Sequence, residues 1–245
     1  MVVGSTSRSY DTILVIMLQT PTEFKTKLAS LVDDEYREFA MRGIPSERPF
    51  LGVKIPQIRK LVGEIAPESY ADFLSIEPIA LEEVLARGMI ICKLPYDEML
   101  KYFDSQINQI DDWCTCDTFC SGLANLVKKH RAEFLDTKIE QLLNDSREYA
   151  VRAGLVMLKC AYIDFDYLAV IFDRIEMLAA KEEYYIKMAT AWLLSECFVK
   201  FPEETFAFLK TTHLPKWTYN KTISKICDSH RIDPEIKAHL KKLRK

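Results

Sequence analysis

Two indoles, a carboxylate and a guanidinium are spaced so that one ligand could meet all four. Trp113 and Asp117 sit one helical turn apart in a run, Asp111 to Ser121, that no Gly or Pro interrupts. On a helix, Trp113, Cys116, Asp117, Cys120, Ala124 and Val127 share a face, and Asp117 is its one strongly polar member. A carboxylate on such a face is costly unless something pairs or uses it. The bland alternative is a buried Asp that caps or pairs with a neighbouring helix, since structural ion pairs perturb carboxylates as catalytic sites do.

Arg152 follows Trp113 by 39 residues, and Trp192 follows Arg152 by 40, each on a helical stretch of its own. That recurrence is the length of a HEAT or armadillo unit, in which each repeat adds one helix to a shared concave surface. The four side chains suit a cationic aromatic ligand beside a phosphate. Indole faces attract a cation, a guanidinium grips phosphate as a fork, and a desolvated carboxylate stabilises developing positive charge.

The elements that must position these residues read as helices. One is expected over 21–41, beginning at Pro21 with Thr20 or Thr22 near the cap. A Gly- and Pro-rich loop covers 42–49, and Pro56 opens a helix that buries Ile58, Leu61, Val62 and Ile65, with Arg59 and Lys60 on its other side. Further helices are expected over 67–74, 81–92, 96–107, 111–129, 131–143 and 147–161, the last capped by Asp145 and Ser146. Others follow over 166–180, 182–198, 202–210, 216–227 and 234–242. Tyr149 shares the Arg152 face, and Tyr185, Met188 and Glu196 share the Trp192 face. No segment alternates with period two between hairpin turns. The reading is all-α, a right-handed α-solenoid of antiparallel HEAT-like helix pairs. Residues 21–245 form its single domain, and 1–20 are an N-terminal extension expected to be poorly ordered. Met17 is a candidate true start.

Composition narrows the function classes. The 245 residues carry 49% hydrophobic side chains, 7 Gly and 10 Pro, which fits a soluble globular chain. The apolar run 13–18 is too short to span a bilayer. Seven cysteines without a secretory signal point to free thiols and a cytoplasmic location. Cys114, Cys116 and Cys120 do not match zinc spacing and no His lies nearby, so no metal is expected. The net charge of −3 is uneven: residues 216–245 hold nine Lys and Arg against three acids, leaving the rest at −9. A basic terminal segment could contact phosphate or be a solvated helix end.

Phe50-Leu51-Gly52-Val53, Pro56 and Arg59, then Trp113 with Asp117, Arg152, and Ala189 with Trp192, resemble the AlkD-like DNA alkylation repair family from about Tyr36 to Arg231. The resemblance implies a single domain of HEAT-like repeats and glycosylase action on N3- and N7-alkylated purines. It implies that Trp113 and Trp192 flank the lesion nucleotide, that Asp117 is the catalytic carboxylate, and that Arg152 contacts the DNA backbone. Tyr36 and Phe39 are both possible counterparts of an N-terminal tyrosine. Tyr149, Lys187, Lys221 and Lys225 are further candidates for DNA contact, with Arg231, Trp217 and Tyr219 beside them. The implied partner is double-stranded DNA with alkylated purines, bound by a monomer without cofactor. Two other readings stay open: a non-catalytic relative that binds damaged or branched DNA, and a HEAT-like protein-binding scaffold.

Overall fold

The computed structural model describes residues 17–245. The chain runs through α1 (Pro21–Ala29), α2 (Asp34–Met41), α3 (Ile55–Gly63), α4 (Tyr70–Leu74), α5 (Leu81–Ile91), α6 (Tyr96–Ile107) and α7 (Trp113–Val127). It continues through α8 (Arg131–Phe134), α9 (Glu140–Leu143), α10 (Glu148–Ala161), α11 (Leu168–Met177), α12 (Tyr184–Lys200), α13 (Pro202–Thr211), α14 (Lys216–Asp228) and α15 (Pro234–Lys241). Among the described residues there is no strand, and the one β-bridge joins Leu18 to Ile65. No described helix is long and apolar enough to cross a membrane.

The architecture is an all-α solenoid. One layer is α3, α5, α7, α10, α12 and α14, each packed on the next. Cross-helix partners rise together along the chain: Asp117 meets Arg152, Ser121 meets Cys160, Arg152 meets Tyr185, and Lys159 meets Trp192. Successive helices of this layer are therefore parallel, and the helices between them return the chain. The α6, α9, α13 and α15 helices back onto α5, α10, α12 and α14. Helix α10 lies at the centre, with every residue from Ala150 to Leu158 buried. Burial of each large aliphatic there contributes about 1.5–3 kcal/mol.

Several boundaries differ from the sequence reading, each for a local reason. The expected helix over 21–41 is two helices. Asp33 caps the second by accepting the Tyr36 N–H at 2.9 Å, while its own N–H reaches Gly52 O at 3.0 Å. Thr20 and Glu23 form a reciprocal capping box on the first. The expected helix over 131–143 widens into a π-turn at Leu135–Ile139. Helix α10 is capped at Arg147, whose N–H is held by Asp145 Oδ1 at 2.8 Å. Of the expected loose extension, residues 1–16 lie outside the described residues. The stretch that follows them is anchored, because Leu18 is 3% exposed and bonds both Glu64 O and the Ala66 N–H. All seven cysteines are unpaired.

One junction fixes the N-terminal helices against the rest. Glu82, 1% exposed on α5, accepts the backbone N–H groups of Leu51, Gly52 and Val53 at 3.1, 2.8 and 3.2 Å. Gly52 adopts φ 94°, and a Cβ there would stand 2.6 Å from Asp33 O, so only glycine fits. The loop 42–49 is then clasped to the start of α7. Ser46 donates to Asp111 at 2.9 Å, and Arg48 donates to Pro78 O and Gln109.

Candidate functional site

Trp113 opens α7 because Asp112 caps it. The fully buried Asp112 carboxylate accepts the N–H groups of Cys114 and Thr115 at 2.6 and 2.9 Å and the Thr115 hydroxyl at 2.8 Å. Burial pushes the Asp112 carboxyl up more than those hydrogen bonds pull it down. The Trp113 indole N–H donates to Gly43 O at 2.9 Å, so the loop 42–49 sets the plane of the ring.

Asp117 sits one turn on, at the margin of the buried face rather than within it. Phe119 and Leu123 join Cys116, Cys120 and Val127 in the interior, and the Asp117 side chain keeps 18% exposure. The cysteines let α7 and α10 approach closely: Cys120 Sγ lies 3.6 Å from Ala153 O, and Ser121 Oγ lies 3.7 Å from Cys160 Sγ. That close fit brings Arg152 onto Asp117. Its Nε and Nη2 donate to Oδ1 and Oδ2 at 3.0 and 2.8 Å, and its Nη1 donates to Tyr185 O at 3.1 Å. Burial pulls on the Arg152 guanidinium, but the Asp117 hydrogen bonds and charge outweigh it and hold its pKa above the usual value.

Trp113, Asp117, Arg152, Trp192 and Lys225 line one open cavity of about 360 Å³, together with Tyr184, Tyr185 and Met188. Asp117 also borders two adjoining hollows. One of about 550 Å³ is walled by Tyr36, Phe39, Ile44 and Trp113, and one of about 760 Å³ by Arg59, Met89, Lys93 and Thr118. The three form a groove with Asp117 at their common edge.

The other sequence candidates fall at differing distances from the groove. Tyr149 lies behind it, its ring 5.2 Å from Tyr185, and it does not line the cavity. Lys187 pairs with Glu182 at 3.0 Å beside the Trp217 ring. Lys221 lines a separate hollow beyond the end of the groove, and Arg231 is held by Glu196 at 2.9 Å. Lys225 reaches the cavity. Burial, followed by the charges of Lys221 and Arg152, lowers its pKa, and Asp117 offsets part of that. Tyr36 and Phe39 both wall the groove, with Phe39 73% exposed.

Sequence reasoning missed Lys93 and Lys159, and it placed Arg59 on the outward side of its helix and in the family pattern without giving it a contact role. Lys159 Nζ lies 3.4 Å from the centre of the Trp192 ring, already a cation on that indole face. Its spacing of i+7 from Arg152 was a usable signal. Arg59 and Lys93 are exposed and face Asp117 across the groove from Lys225. They come from α3 and from just beyond α5, and no helical periodicity links either of them to Asp117.

A comparison with curated proteins gives no match. The family model described as DNA alkylation repair enzyme matches residues 24–226, from the first turn of α1 to the last turn of α14. That span takes in every helix that lines the groove, and the chain belongs to the DNA alkylation repair enzyme family.

Proposed function

We propose that this protein is a monofunctional DNA glycosylase that hydrolyses the N-glycosidic bond of cationic N3- and N7-alkylated purines in duplex DNA. The observation that carries the reading is the convergence of Trp113, Asp117, Arg152 and Trp192 on one open cavity. Alkylation at N3 or N7 gives the purine a positive charge, so the base departs neutral and needs no general acid. What remains is to stabilise the cation that develops on the deoxyribose and to hold a water for it.

The surroundings of Asp117 support a part in both tasks. Its two bonds to Arg152 use one acceptor site on each oxygen, and a carboxylate has about four such sites. The remaining sites can order a water and face positive charge. Arg152 fixes the direction of the carboxylate. The edge of its fork is thereby engaged, so Arg152 acts here as a positioning residue rather than the bidentate phosphate ligand expected from sequence. Trp113 and Trp192 present indole faces to the charged nucleotide, each attraction worth about 0.5–2 kcal/mol. At Trp192 the lesion competes with Lys159. Phosphate contacts fall to the exposed Arg59 and Lys93 on one side and Lys225 on the other. Seven free thiols fit work in a reducing cytoplasm.

The test is release of free base from duplex DNA that contains N7-methylguanine. The folded protein is expected to release it and to leave unmodified guanine in place. A folded protein that binds such DNA and releases nothing would overturn the reading in favour of a non-catalytic binder.

Lys225 gives a second expectation. Lys225→Gln should weaken duplex binding about equally across sequences and reduce the slope of log affinity against log salt by about 1. Because its pKa is lowered, Lys225 loses its charge at a lower pH than an ordinary lysine. Wild-type affinity should therefore fall as pH rises through that value, and the variant should lack this component. Titrations over a salt and pH series check both.

A further inference from the structure

Helix α14 carries more than its groove residue. Trp217, Lys221, Ser224 and Lys225 share one of its faces. Lys225 belongs to the groove, whereas the other three line a distinct hollow of about 580 Å³ with Lys216, Asn220 and Arg244. No acidic side chain lines that hollow. The terminal segment folds back over the helix to complete it. Arg244 donates to Ser224 Oγ at 3.0 Å, and Asn220 exchanges two hydrogen bonds with the Lys245 backbone at 2.9 and 3.0 Å.

Trp217 stands at the mouth of this hollow, 41% exposed. Its ring lies 5.8 Å from that of Tyr184, which is 52% exposed and lines the groove. Lys187 Nζ is 5.3 Å from its centre. The indole is thus held in place by side contacts while part of it stays open to solvent. A basic hollow alone would serve a duplex backbone, but a paired base offers no face to an indole. An unpaired base does, and alternating cations and aromatic faces are how single strands are bound.

We propose that this hollow binds an unpaired stretch of DNA flanking the duplex in the groove, with a base stacked on Trp217 and phosphates held by Lys216, Lys221 and Arg244. Tyr184 is the step between the two sites. The proposal rests on the DNA-binding part of the reading above, and not on catalysis.

The test compares a blunt duplex with the same duplex carrying a short oligothymidine arm, by fluorescence anisotropy at fixed salt. Wild type should bind the armed duplex about tenfold more tightly, equivalent to about 1.4 kcal/mol. Trp217→Ala should lose that advantage and keep its affinity for the blunt duplex. Trp217→Phe should retain most of it, and a Lys216→Gln/Arg244→Gln variant, which leaves the indole packing alone, should reduce it. Equal affinity of wild type for the two DNAs, no binding to either, or an advantage that survives Trp217→Ala would each overturn the proposal. Base-release assays on the same preparations separate the two ideas. An arm preference that depends on Trp217, without base release, leaves this inference standing and removes the glycosylase.

Discussion

Asp117→Asn is expected to cut base release from N7-methylguanine DNA by about 10²–10³-fold, with duplex affinity little changed. The substitution keeps the shape and one acceptor oxygen, but it removes the negative charge opposite the developing sugar cation. Loss of one preorganised electrostatic group at a reacting centre typically costs about 2.7–4 kcal/mol of barrier. Arg152 sharpens the experiment. Its guanidinium is 6% exposed, and in the variant it loses one of its two acceptors on Asp117. A buried donor left short costs about 1–3 kcal/mol of stability, which for a chain of this size lowers Tm by roughly 2–4 °C per kcal/mol. Single-turnover rates should therefore be read beside a melting curve. A variant that stays folded and releases base at the wild-type rate would remove Asp117 from the chemistry. One whose rate falls only in step with its unfolded fraction would do the same.

The second large effect is on stability and lies away from the groove. Glu82→Ala should destabilise the protein by about 3–5 kcal/mol, because it strands the N–H groups of Leu51, Gly52 and Val53, the last two of them buried. Glu82→Gln should cost roughly half as much. Its amide oxygen can still serve Gly52 and Val53, whereas its NH₂ would meet the Leu51 N–H donor to donor. Thermal melts of the three proteins would rank them wild type, Gln, Ala. If the Ala variant melted with wild type, the junction would have no part in holding α2 and the loop 42–49 against α7. That junction is also the route by which Phe50-Leu51-Gly52-Val53 matters to the groove: it holds the wall formed by Tyr36 and Phe39 and the Gly43 carbonyl that orients Trp113.

Much of this was legible in the sequence because the helices carry strong local signals. Helix α6 begins and ends at the expected residues, and Pro56, Pro202 and Pro234 each stand in a first helical turn. Asp117 could be singled out because a charge interrupts an apolar stripe, a pattern visible in one helix. Arg152 could be singled out too, but its pairing with Asp117 could not. The fork of Arg152 closes on Asp117 only because thiols let two helices 33 to 35 residues apart in sequence come close, and periodicity carries no distances between elements. The break at Asp33 was hidden for a different reason. A capping Asp with no Gly or Pro beside it looks like any charged residue on an exposed helix face, and its role depends on Lys54 and Gly52 from the next turn of chain. Lys225 was legible as a cation of a basic segment. Its depressed pKa was not, since burial and the fields of Lys221 and Arg152 arise from packing.

Three of the contacts that shape the groove each bridge two neighbouring helices of the layer. Asp117 to Arg152 joins α7 to α10, while Arg152 to Tyr185 and Lys159 to Trp192 join α10 to α12. A stack in which each unit touches chiefly its neighbours behaves as a spring, and here Asp117 and Trp113 are mounted on one coil, through α7, while Trp192 is mounted on another, through α12. Twisting or stretching that spring changes the distance from Asp117 to Trp192 directly, with no hinge between them. On the proposed glycosylase reading, the curvature that a duplex imposes on the coils sets the gap between Asp117 and Trp192 into which the damaged nucleotide must fit.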